Sequence, residues 1–125
     1  MALSEELPIY KEMYILLNKI LDEREHFPKM YKYAFGEKLM MVCLDCLELI
    51  QAANSDMTNR RAYLQEFALV FAKLQLMLRV CRDRNIISVS AFAQILQHVG
   101  NVGRMSTGWR KSSVKPESSS PYEPR

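Results

Sequence analysis

The sequence predicts an all-α protein: an up-down-up-down four-helix bundle followed by a disordered C-terminal tail. Three observations predict it. Apolar residues recur at helical spacing almost throughout, as far as Lys111. No stretch shows sustained apolar/polar alternation with β-branched enrichment, the mark of a half-buried strand. Helix-breaking and capping residues cluster at only three interior places, and four long helices with short connections make such a bundle.

The first helix is placed at about Pro8 to Arg24, with Pro8 suited to the first turn. Its core face is Ile9, Met13, Leu16, Leu17, Ile20 and Leu21. "EHFPKM" ends it, because Pro28 disfavours helical geometry at Phe27 and can itself open the next helix. The second helix runs from about Lys29 to Ala53, with Phe35, Leu39, Val42, Cys43, Cys46, Leu47 and Ile50 as its stripe. "NSDMT" (54–58) is a turn rich in capping residues.

The third helix spans about Asn59 to Arg82, its core face formed by Tyr63, Leu64, Phe67, Val70, Phe71, Leu74, Leu78 and Cys81. Roughly opposite, Ala62, Leu69, Leu76 and Val80 fall on one line. A helix apolar on two sides needs two partners, so Leu69, Leu76 and Val80 are assigned to an oligomer interface. A wide core face covered by the tail is the alternative. "RDRNIIS" leads to the fourth helix, about Val89 to Lys111, with Ser88 or Ser90 as N-cap. Phe92, Ile95, Leu96, Val99, Val102 and Trp109 form its stripe. Residues 1–111 are thus one bundle, and the Ser- and Pro-rich residues 112–125 read as a disordered polar tail.

Within the fourth helix, "VGRMSTGWRK" (102–111) carries two glycines beside a tryptophan and three cations. A glycine inside a helix costs ~0.5–1 kcal/mol relative to alanine. Gly103, Gly108 and Trp109 therefore read as a helix-packing device, a tight crossing with the indole filling the adjacent groove. A fraying last turn with ordinary solubilising charges is the alternative. A buried Trp109 predicts a cost of ~3–5 kcal/mol on replacement by Ala.

Charge is unevenly distributed. Residues 1–57 carry a net −4, residues 58–115 a net +8 with only Glu66 and Asp83 as acids, and the last ten −1. A strongly cationic half-domain suits a polyanionic or acidic partner. The candidate contacts for nucleic acid or a partner protein are Arg60, Arg61, Lys73, Arg79, Arg82, Arg84, Arg104, Arg110 and Lys111. They do not form one stripe in a monomer, where solvated charge is the simple reading. In a ring of subunits they become a cationic band that neutralises phosphates without reading bases.

Other chemistries are poorly supported. Glu23–His26 is one Glu-x-x-His, whereas a di-iron bundle needs two such motifs and two further glutamates. Cys43, Cys46 and Cys81 read as core thiols, since zinc would require further ligands and a redox CxxC follows a strand. The helical-bundle ribonuclease spacing of Arg to His is missing at both His26 and His98; a ribonuclease without it would depend on His98. No phosphate loop, nucleophile elbow or HExxH is present. No enzyme activity, metal or cofactor is expected. With no stretch near ~18 apolar residues and no basic n-region or apolar h-region at the N-terminus, no membrane contact and a cytoplasmic location are the expectation.

"FPK" (27–29), "YAFGEKL" (33–39), "LDCLELIQAA" (44–53), "LRV" (78–80) and above all "VGRMSTGWRK" resemble the accessory variability protein of diversity-generating retroelements. That family lies within a wider group of bacterial four-helix bundles, which includes proteins encoded in 23S rRNA intervening sequences. The resemblance covers about residues 8 to 111. It implies a homopentameric, barrel-shaped, noncatalytic and positively charged assembly that binds reverse transcriptase and its RNA template; the cationic residues themselves would suit DNA as a further ligand. Such an assembly supports error-prone cDNA synthesis. The alternative of another class is an oligomeric scaffold that docks an acidic protein and never meets nucleic acid.

Overall fold

A computed structural model describes residues 3–118, with side chains described over residues 3–113. A single 3-10 turn, Ser4–Glu6, precedes α1 (Pro8–Arg24), α2 (Lys29–Lys32), α3 (Ala34–Ser55), α4 (Arg60–Asp83) and α5 (Val89–Ser118). The described residues contain no strand. The four long helices form the expected bundle, with α1 and α4 each packed between α3 and α5. Their directions alternate. Asn54 near the end of α3 donates to Ser4 Oγ beside the start of α1, at 3.3 Å. Lys19 of α1 donates to Gln94 near the start of α5, also at 3.3 Å.

The core is the sum of four apolar stripes. Met13, Leu16 and Ile20 of α1, Leu39 and Ile50 of α3, Leu64, Phe67 and Leu74 of α4, and Ile95 and Val102 of α5 are wholly buried. Phe67 and Phe71 stack with centroids 5.4 Å apart. Leu21 and Leu96, read as core, are instead 41% and 47% exposed. Each lies at the margin of its stripe, where two neighbouring helices cannot cover it.

Local chemistry sets the ends. Pro8 occupies the first turn of α1, after an extended Leu7. The helix expected over 29–53 is interrupted at Tyr33, whose φ of −92° and ψ of −75° depart from the ideal helix. The physical reason lies on α1. Arg24 Nε donates to the Lys32 carbonyl at 2.8 Å, the acceptor a continuous helix would present to the Gly36 N–H. Gly36 makes that crossing fit, since a Cβ there would stand 2.7 Å from Arg24 Nε. At the far end of α4, Asn85 takes the left-handed conformation at φ 58°. The Ile86 N–H then reaches back to the Cys81 carbonyl at 2.7 Å, closing the helix in a Schellman-type turn. Ser88 is the cap of α5, accepting from the Ala91 N–H at 3.0 Å.

The backbone of α5 stays helical past Lys111 to Ser118. The remainder of the expected disordered tail, residues 119–125, lies outside the described residues.

Candidate nucleic-acid interface on α4 and α5

Seven of the nine candidate cations are exposed; Arg60 and Arg110 are half-buried. The structure gathers them in two places along the α4/α5 seam and leaves the rest apart. At the start of α4, Arg60 and Arg61 border a cleft of about 330 Å³ with Met57, Thr58, Trp109, Ser112 and Ser113. The Arg60 guanidinium lies 5.5 Å from the Trp109 ring centroid. Arg60 also has a structural duty. Its Nε donates to the Ala53 carbonyl at 2.6 Å and its Nη2 to the Asn54 carbonyl at 3.1 Å, satisfying carbonyls at the end of α3.

Towards the other end of the seam, Arg79 and Arg82 border a groove of about 200 Å³ with Gln75, Leu78, Phe92, Leu96 and Val99. Arg82 sits 5.3 Å from the Phe92 centroid and pairs with the adjacent Asp83 at 2.9 Å. Arg79 has neither a hydrogen bond nor an ion pair among the described residues, so its charge faces solvent alone.

The remaining cations are dispersed. Arg84 donates to the Tyr31 hydroxyl at 2.8 Å and lies over that ring, tying α2 to the end of α4. Lys73 and Lys111 are exposed. Arg104 faces the α1 side of α5. It donates to Asn101 Oδ1 and rims a pocket of about 360 Å³ lined by Leu7, Pro8, Ile9, Met105, Gly108 and Trp109.

Within one chain neither Gly103 nor Gly108 marks a tight crossing. A Cβ at Gly103 would rest 3.9 Å from the Phe71 ring, an ordinary contact, and one at Gly108 would meet nothing within 4 Å. Trp109 is half-buried rather than enclosed, a partition between the apolar pocket and the cationic cleft.

Sequence reasoning missed the aromatic partners of Arg60, Arg82 and Arg84, which come from other helices and leave no local signal. It also missed a polar link between α1 and α5. Glu12 Oε2 lies 2.5 Å from His98 Nδ1 and accepts from Asn101 Nδ2 at 2.9 Å. The Asn101 hydrogen bond, with help from His98 and Arg104, holds the Glu12 carboxyl below its usual value despite the opposing effect of burial. His98 is therefore a bridging residue of the scaffold. Asp56, beside the cationic cleft, is likewise held low, because it accepts from the side chain and backbone N–H of Asn59.

All three cysteines are buried and free. Burial pushes Cys43 up to about 12 and Cys81 to about 11, and raises Cys46 further with help from Cys43 and Asp45. No helix among the described residues is long and apolar enough to cross a membrane.

Fold and surface together define an antiparallel four-helix bundle whose second half presents basic side chains along one seam. A family model described as bAvd-like matches residues 7–113, and the chain belongs to that family. It is a family of noncatalytic accessory proteins of diversity-generating retroelements. A comparison with curated proteins gives no match.

Proposed function

We propose that this chain serves a diversity-generating retroelement in the cytoplasm as a noncatalytic oligomer, its α4/α5 cations holding template RNA or DNA and the reverse transcriptase during mutagenic cDNA synthesis. The observation that carries the reading is the exposed basic seam, in which Arg61, Arg79 and Arg82 border solvent-facing clefts. Such a surface neutralises phosphates and reads no sequence.

Self-association draws on a second feature. Leu69 and Leu76 project from α4 with 75% and 55% exposure, next to half-buried Val80. On α1 and α3, Tyr14, Leu21, Met41 and Leu44 are also exposed, on the acidic half of the chain. Apolar strips on elements of opposite charge favour a head-to-tail contact between copies, and contacts of that kind form rings when the rotation between copies closes. Five copies is the number that the family resemblance implies.

The test is fluorescence anisotropy of a labelled structured RNA titrated with the full chain across a salt series. Each neutralised phosphate is expected to contribute about −0.9 to the log–log slope. Charge reversal at Arg79 and Arg82 should weaken binding and flatten that slope. Absence of binding at low salt overturns direct nucleic-acid contact and leaves the basic seam as a docking face for an acidic protein. Mass photometry tests assembly. Leu69→Asp should dissociate the oligomer, and a monomeric wild-type protein at micromolar concentration overturns that part.

A further inference from the structure

The two clefts on the α4/α5 seam share a construction that simple phosphate neutralisation does not require. Each places a guanidinium over an aromatic ring, Arg60 on Trp109 and Arg82 on Phe92, with a further arginine at the rim. The two α4 arginines are 22 positions apart, which at 1.5 Å per residue separates the pairs by about 33 Å along the bundle.

A flat cationic platform of this kind offers a duplex little, because paired bases are stacked on one another and hide their faces. A single strand exposes those faces, and every base has one. Arginine planes and aromatic rings both stack on them, while neighbouring cations track the phosphates. The walls fit that use. Leu78 and Val99 line the Phe92 groove, and Thr58, Ser112 and Ser113 bring hydroxyls to the Trp109 cleft. Both serine hydroxyls already donate to the Trp109 carbonyl at 2.9 Å, which leaves their oxygens as acceptors suited to any base carrying an N–H. The nearby acids do not close the track: Asp83 is engaged by Arg82 and Asp56 by Asn59.

We infer that the α4/α5 seam is a track for single-stranded nucleic acid, with one base stacked at each guanidinium–aromatic pair. The inference rests on the proposed nucleic-acid function and narrows it to unpaired strands. An acidic protein would use the same cations without needing the two platforms.

Trp109 is the chain's single tryptophan, so its emission reports on one of the two platforms directly. The full chain is titrated with a labelled oligouridylate, with oligothymidylate, and with a hairpin duplex of equal charge, following anisotropy and Trp109 emission. Both single strands are expected to shift that emission and to bind about tenfold more tightly than the duplex. Phe92→Leu, an apolar replacement checked for folding by circular dichroism, should weaken single-strand binding about tenfold and leave duplex binding unchanged. Equal affinity for strand and duplex with an unmoved emission overturns the inference while nucleic-acid binding stands. So does a Phe92→Leu variant that is folded and binds single strands normally. Failure of all three probes to bind at low salt overturns the broader proposal along with it.

Discussion

Glu12 joins α1 to α5 through His98 and Asn101, and its folded proton affinity lies below the ordinary carboxylate value. The unfolded chain therefore takes up this proton more readily. The stability that Glu12 contributes is complete above the ordinary carboxylate value and is lost as pH falls through the depressed one. Urea midpoints measured from pH 6 down to pH 3 should fall more steeply for the wild type than for Glu12→Gln, so that the gap between the two narrows on acidification. Asp56 titrates in the same direction in both proteins and cancels from the comparison. Trp109 presents a different balance. With the ring half-buried and Arg60 on its face, Trp109→Ala is expected to cost about 2 kcal/mol, read from the urea midpoint, below the range for a fully buried aromatic.

Helix boundaries were legible where a single residue sets them. Pro8 opens α1 and Ser88 caps α5, and both act through their own backbone neighbourhood. The turn after α4 also rests on one residue, the left-handed Asn85, although "RDRNIIS" reads in the sequence only as a link. Asn tolerates that conformation and Ala does not, so Asn85→Ala should lower stability by ~1–2 kcal/mol in thermal unfolding, with Asn85→Gly close to wild type. The break at Tyr33 was not legible, because its cause is Arg24 reaching across from another helix. Leu21 and Leu96 satisfy the helical period yet lie at its margin, where coverage depends on how far the neighbouring helices extend. The candidate site shows the same division. Its cations were countable in the sequence, whereas the pairing of Arg60 with Trp109 spans 49 positions and exists only once α4 and α5 pack. Gly103 and Gly108 of α5 invited a packing explanation, and within one chain Gly108 has open space around it.

At the scale of the molecule, the acidic first half and basic second half give opposite sides of one bundle opposite charge. If copies meet head to tail through these sides, added salt should loosen the assembly, since surface charges are screened over about 8 Å at physiological ionic strength and about 3 Å at 1 M. Sedimentation velocity at low and high salt is expected to show a shift towards smaller species; an assembly unchanged by salt would assign the contact to the apolar strips alone. The thiols of Cys43, Cys46 and Cys81 carry a practical consequence. Sealed in the interior and held protonated at neutral pH, they are silent towards maleimides and disulfide reagents while the bundle is closed. A cysteine introduced on the surface can therefore take a dye without removal of the native three. The slow modification of those three then becomes a clock for the opening of the fold.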